Sequence, residues 1–353
     1  MNTTPELVTG VDVSDRFSTF FTITADGEVE EEGRVRTTAA ALRAHFEGGR
    51  RRVVIEAGPH SPWISRLLTE LGHEVIVANA RMVALIHKNP KKRDRVDAEA
   101  LARLGRADPK LLYPIEHRSE ESQIHLGVIR TRDAVVRART ALINHVRGTV
   151  KSLGARIPRC SAETFHTKAA EHLPDPVRPA LDPILETIAR LSTQIRFFDK
   201  QIEELSAERY PETALLRQIK GVGPVTALAY RLIVEDPSRF ERSRDVGSYL
   251  GLTRRHDDSG ESEPELRITK AGDELLRRLL IQGAHYILGP FGPDTDLRRW
   301  GLHYIQRGGH SKTAKKKAAV AVARKLAVLL HCLWKTGQVY EPLHNATHAA
   351  EAA

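Results

Sequence analysis

Four carboxylates, Asp12, Glu56, Asp94 and Asp97, stand where phosphodiester chemistry could be built. Asp94 and Asp97 lie three apart at the start of an expected helix, so they share one face. Lys91, Lys92, Arg93 and Arg95 surround them. Two carboxylates on one face in a basic setting can hold a divalent ion with nucleic-acid phosphate on its far side. A charged, solvated helix start is the competing reading, and only further carboxylates from elsewhere in the chain decide between them.

The elements around these residues would supply that convergence. Residues 7–13 read as a strand with Asp12 inside it, 17–25 as a second, and Asp26-Gly27 as a hairpin turn. Residues 28–36 form a third strand and 37–46 a helix capped by Thr37 or Thr38. Then come a strand over 52–56 ending on Glu56, a helix over 62–71, a strand over 74–78, and the helix that starts near Arg93. Three meandering strands followed by alternation imply parallel pairing in an α/β domain. In a ribonuclease-H-like fold the first and fourth strands are neighbours and the last helix crosses near their ends. All four carboxylates would then meet at one point, as oxygen ligands for two Mg²⁺ or Mn²⁺ ions about 4 Å apart.

Pro109 and Pro114 close this first domain, taken as residues 1–115. Residues 116–209 read as a helical linker. One helix spans 119–153, and a second, over 184–208, places Ile184, Ile188, Leu191, Ile195, Phe198, Ile202 and Leu205 at alternating spacings of four and three. That seam predicts an antiparallel coiled coil or a dimerisation arm; two helices packed within one domain is the alternative. Residues 210–345 form a mainly helical C-terminal domain, followed by a tail over 346–353. Gly221-Val222-Gly223-Pro224 resembles the turn of a helix-hairpin-helix element, whose amides can hold DNA phosphate, although such turns also serve as packing corners. Arg254, Arg255 and Lys270 flank a polar loop. Between Asp296 and Lys335, ten cations, including Lys315, Lys316 and Lys317, oppose the single acid Asp296. A solvated helix face needs less imbalance than that, so phosphate contact is favoured.

The 353 residues carry a formal net charge of +9 and a pI of about 9.6, a balance that favours an anionic partner. With 41% hydrophobic and 28% charged residues, the chain has the composition of a folded soluble protein. Two cysteines without CxxC spacing argue against a disulfide framework or structural zinc and fit a reducing cytoplasm. No signal peptide or membrane span is expected, because the longest apolar run carries Arg324 and Lys325 in its middle. Nucleotide-binding GxxxxGK[ST] and zinc HExxH motifs are absent from the sequence.

Gly10-Val11-Asp12-Val13-Ser14, Ile55-Glu56-Ala57-Gly58, Arg93-Asp94-Arg95-Val96-Asp97-Ala98, the Gly221–Pro224 turn and Gly251-Leu252-Thr253 followed by Ser259-Gly260 together resemble the DEDD transposases of bacterial insertion sequences. This is the "one-ten" group, related to the Piv and MooV DNA invertases, and the similarity runs over almost the whole chain. The resemblance implies a RuvC-like N-terminal domain, a coiled coil and a C-terminal transposase domain. It makes Asp12, Glu56, Asp94 and Asp97 the metal-binding tetrad and Ser259 the nucleophile, forming a covalent 5′-phosphoserine. It further implies a non-coding bridge RNA pairing with donor and target DNA, and a homo-oligomer, dimer or tetramer, acting in the cytoplasm at the nucleoid. From the residues alone, Ser-Gly is ordinary turn chemistry. The loop also departs from what DNA contact would favour: Asp257 and Asp258 precede the serine, Glu261, Glu263 and Glu265 follow it, and Ser262 is a rival. The competing functions are a structure-selective nuclease of the Holliday-junction-resolvase type, using the tetrad alone, and a DNA-binding protein with a decayed nuclease fold.

Overall fold

The computed structural model describes residues 6–82, 94–255 and 266–344. The chain forms two compact units, Met1–Arg118 and Ser119–Ala353, in a mixed α/β architecture.

The first unit is built on a five-stranded sheet of order β3-β2-β1-β4-β5. The strands are β1 (Leu7–Asp12), β2 (Phe17–Thr24), β3 (Val29–Arg36), β4 (Arg52–Glu56) and β5 (Glu74–Ala78). β1, β2 and β3 pair antiparallel. Gly27 takes φ +93° between β2 and β3, a conformation a side chain would resist. β4 joins β1 in parallel, and β5 joins β4 likewise. Helices α1 (Ala39–Phe46) and α2 (Ser61–Glu70) cross over one face, and α3 (Asp94–Ala107) lies on the other. Thr38 caps α1 by accepting from the Ala41 amide at 3.4 Å.

Alternation along the strands assigns side chains to the two faces. Val8, Phe21, Val54 and Ile76 pack with Ala98, Leu101 and Ala102 of α3. Val11, Phe20, Val53 and Ile55 pack with Leu42 and Phe46 of α1 and with Ile64 and Leu68 of α2. Both layers bury these side chains, so a one-residue slip of β1 would reverse its whole hydrophobic set.

The second unit is helical. Its elements are α4 (Glu120–Ser152), α5 (Phe165–Ala170), α6 (Arg178–Glu208), α7 (Thr213–Leu216), α8 (Pro224–Val234), α9 (Asp245–Tyr249), α10 (Glu274–Leu288), α11 (Asp296–Arg307) and α12 (Lys312–Thr336). α6 starts six residues before the expected 184, because Pro179 sits in the first turn, where no amide donor is needed. α4 and α6 pair antiparallel: Arg132 reaches Asp199, and further along α4 Arg139 reaches Ser192.

The buried stripe of α6 is Leu181, Leu185, Ile188, Ser192, Ile195, Ile202 and Ser206. The heptad spacing therefore holds, but the seam shares only Ile188, Ile195 and Ile202 with the expected one. Ile184, Leu191, Phe198 and Leu205 lie on its half-buried flank. Two interleaved apolar stripes were available, and the buried one packs Leu181, Leu185 and Ile188 against Ile143, Val146 and Phe165, with Arg139 donating to Ser192.

α8 is buried almost all round, and Tyr230 donates its hydroxyl to the Ala327 carbonyl of α12 at 2.7 Å. Among the described residues no helix is long and apolar enough to cross a membrane.

Candidate active site

Asp12 ends β1 and Glu56 ends β4, and the parallel register pairs Val11 with Ile55 immediately before them. The two carboxylates therefore stand side by side at the C-terminal edges of adjacent strands. Alternation from Val8 and Val54 puts both on the face covered by α3.

Helix α3 lies against that face unusually closely. A β-carbon on Gly10 would stand 2.1 Å from the Ala98 carbonyl oxygen and 2.5 Å from the Ala102 amide nitrogen. One on Gly105 would stand 2.4 Å from a Val54 methyl. At the far end, Arg52 at the start of β4 donates to the Gly105 carbonyl at 3.0 Å. The C-terminus of α3 thus lies near the beginnings of β1 and β4, and its N-terminus points toward their ends, where Asp12 and Glu56 are.

The two aspartates of α3 occupy different surroundings. Asp97 is 6% exposed, and its Oδ1 is buried without a hydrogen-bond partner. A buried carboxylate oxygen in that state carries a desolvation penalty unless something cationic meets it. Asp94 is open to solvent, with Arg34 3.9 Å away. Arg34 stands opposite Thr19, and Thr19 opposite Asp12, so Asp94 is drawn toward the β3 side of the sheet.

Among the described residues, no three histidine, cysteine or acidic side chains are gathered closely enough to hold one ion. The donor set nonetheless suits a hard divalent cation: all carboxylate oxygen, with one oxygen buried and unsatisfied.

Arg95 pairs with Glu32 at 2.7 Å and Glu99 at 3.5 Å and lies over the Phe21 ring. Arg93 lies outside the described residues, as do Lys91 and Lys92.

Sequence reading passed over His60, four residues beyond Glu56. Trp63 donates its indole N–H to His60 Nδ1 at 3.1 Å, which leaves Nε2 protonated to donate to Asp15 at 3.0 Å. The loop after β1 is thereby tied to the loop after β4. Nearby, Ser61 donates to the Gly58 carbonyl and accepts from His117 Nε2 at 2.9 Å. Burial holds His117 below its usual pKa, helped by Arg66 and Arg118.

In the second unit, Ser259 and its rival Ser262 lie outside the described residues; on either side of them, residues 253–255 and 267–269 pair backbone to backbone. Arg255 donates its amide to the Arg267 carbonyl at 3.0 Å, and the Thr269 amide donates to Thr253 at 2.9 Å. Gly251, at φ +66°, and Gly272 let the two arms touch backbone to backbone: a β-carbon on Gly272 would stand 2.1 Å from the Tyr249 carbonyl oxygen. Arg277, buried, locks the arrangement by donating to the Leu250 and Gly272 carbonyls.

The paired arms form one wall of a groove of about 2110 Å³ between the helices of this unit. Among the described residues, eight Lys and Arg line it against two acids, Asp296 and Glu341. Arg254, Lys270, Lys316 and Lys317 are among them; Arg255 and Lys315 are not. Other cations of the basic run have internal work. Arg298 holds the Ile287 and Gly289 carbonyls, Arg299 pairs with Asp294, and Lys335 donates to the Phe240 and Glu241 carbonyls.

The glycine turn is a packing corner at Gly221 and open at Gly223. Gly221 has φ +101°, and a β-carbon on Gly283 of α10 would stand 2.7 Å from its carbonyl oxygen. Gly223 has open space where its side chain would be, at the start of α8.

Comparison with known proteins gives the class. Residues 9–154 match the model of the DEDD transposases of the IS110 type, and residues 213–295 match the transposase IS116/IS110/IS902 family. A Pseudomonas aeruginosa protein described as a family 20 transposase is 30% identical over 298 residues, 82% of this chain and 86% of its own. The transposase for insertion sequence element IS1111A of Coxiella burnetii is 31% identical over 256 residues, 70% of this chain and 68% of its own. The pilin gene-inverting protein of Moraxella lacunata is 24% identical over 318 residues, 88% of each chain. The chain belongs to the IS110 family of transposases, enzymes of DNA transposition.

Proposed function

We propose that this transposase cuts and rejoins DNA strands with a ribonuclease-H-like carboxylate site and a serine nucleophile, guided by a bridge RNA. The observation that carries the reading is the buried, unpartnered Oδ1 of Asp97, on the helix end that points toward Asp12 and Glu56. Asp12, Glu56 and Asp97 would hold Mg²⁺ or Mn²⁺, with Asp94 at the rim. When bound, the metal supplies Lewis acidity, polarising the phosphodiester and stabilising the charge that develops on its oxygens.

Ser259 supplies the covalent step. Its Oγ forms a bond to phosphorus as the bond from phosphorus to the 3′ oxygen breaks, and the hydroxyl proton ends on the released 3′ oxygen. The product, a 5′-phosphoserine, conserves the bond energy, so a 3′ hydroxyl of another strand can reverse the step without ATP. Arg254 and Lys270, at the roots of the serine segment, neutralise charge on the transferring phosphoryl group. The two units carry different parts of this chemistry, which suits an assembly in which one protomer's carboxylates meet another's serine. The cations of the groove suit the DNA and RNA backbones.

Strand cleavage by Asp97→Ala and Ser259→Ala variants tests this reading. Both lose recombination, and both retain binding to nucleic acid. Hydrolytic cleavage surviving in Ser259→Ala would replace the reading with a nuclease of the resolvase type.

A further inference from the structure

Among the helices of the second unit, the groove wall contributed by α11 is aromatic. Trp300 and Tyr304, one turn apart, face each other with ring centroids 5.8 Å apart and planes tilted by 40°. Lys325 of α12 sets its ammonium 4.4 Å from the Trp300 ring centroid. All three line the groove, as do Arg244, Lys316 and Arg324.

Cations alone would suit any polyanion, including an intact duplex. Duplex backbone, however, offers nothing to an indole and a phenol recessed in a groove wall, whereas an unpaired base offers an aromatic face. Among the described residues the lining carries eight cations against two acids, which favours a polyanion, and the aromatic pair favours one with exposed bases.

The geometry points to a stacking subsite for an unpaired nucleobase of single-stranded nucleic acid, formed by Trp300 and Tyr304 and guarded by Lys325. It rests on the proposed nucleic-acid chemistry and adds that the groove distinguishes single from double strands. Lys325 occupies the ring face in the free protein. A base entering there displaces the ammonium toward the adjacent phosphate, exchanging a cation–π contact for stacking plus an ion pair.

Tryptophan fluorescence of the full-length protein tests the subsite, because the chain has only three tryptophans, Trp63, Trp300 and Trp334. Oligothymidylate and oligouridylate are titrated beside a mixed-sequence duplex of equal length. Single strands should quench emission, and Trp300→Phe should remove the quench while keeping the binding. Trp300→Ala and Tyr304→Ala should each weaken single-strand binding at least about fivefold, the low end of stacking per base, and leave duplex binding within about twofold. A preference for uridylate identifies RNA as the occupant and a preference for thymidylate identifies DNA; each supports the subsite. A quench that persists in Trp300→Phe, or an equal loss of single-strand and duplex binding, overturns the subsite alone. Failure of any oligonucleotide to bind overturns the proposed function with it.

Discussion

The carbonyl oxygen of Ala98 lies 2.1 Å from where a β-carbon on Gly10 would stand. Helix α3 therefore rests on the backbone of β1, two residues before Asp12, and nothing larger than hydrogen fits between them. Gly10→Ala must push the helix outward and carry Asp97 with it. Urea unfolding should show a loss of about 1–3 kcal/mol from overpacking. Strand cleavage should fall by about 100-fold or more, since shifts near 1 Å have that effect on positioned groups. Gly49→Ala, with open space at its β position, serves as the control and should leave both unchanged.

Asp97 has a second consequence. Its unpartnered oxygen destabilises the metal-free fold, so Asp97→Asn should raise the melting temperature without metal while removing cleavage. Adding Mg²⁺ should stabilise the parent protein, by about 2.7 kcal/mol at a hundredfold excess over the dissociation constant. The variant should not respond. An equal response in both proteins would exclude Asp97 as a ligand.

Acid should loosen the second unit through His331. This ring is fully buried, donates from Nε2 to the Pro237 carbonyl at 2.9 Å, and accepts at Nδ1 from the Ser243 hydroxyl. Burial lowers its pKa below 6.5, with Lys335 adding to the effect and the Pro237 carbonyl opposing it. The unfolded chain therefore takes up the proton first. Stability from this group is complete above pH 6.5 and falls as the pH drops from 6.5 toward the folded value. Denaturant midpoints across that window should decline, and less steeply in His331→Asn. His45 and His73, lowered by burial in the first unit, act with the same sign, so the difference between the two proteins is the informative quantity.

In the helical pair, Arg139 is 8% exposed and donates to Ser192 at 3.1 Å, while its Nε is buried without a partner. Replacing both ends by apolar groups, Arg139→Leu with Ser192→Ala, should stabilise the unit by about 1 kcal/mol. Ser192→Ala alone should destabilise it by a similar amount, because the guanidinium loses its acceptor. Thermal unfolding of the two variants checks both signs.

The strand order and the meeting of β1 with β4 were legible in the sequence, because three antiparallel strands and two crossovers leave few arrangements. Glu56 could be placed from its strand end, whereas Asp12, expected inside a strand over 7–13, is the last residue of β1. The environments of Asp94 and Asp97 could not be placed, since a three-residue offset gives a common face but not its depth under the sheet. The α6 seam was misplaced because Ile184 and Leu185 are both apolar, and the groups that meet the buried stripe, such as Ile143, Val146, Phe165 and Arg139, lie far away in sequence. Likewise the basic run concealed Arg298 and Lys335, whose partners are carbonyls that carry no sequence signal. His60 gave a signal only through its spacing from Glu56.

Mapping the covalent protein–DNA intermediate by mass spectrometry tests the serine chemistry most directly. Strand cleavage with Mg²⁺ present, followed by proteolysis and nuclease digestion, should yield a peptide carrying a 5′-linked nucleotide on Ser259. The adduct should vanish in Ser259→Ala and in Asp97→Ala. Free 5′-phosphate ends without any adduct, and undiminished cleavage by Ser259→Ala, would contradict the account.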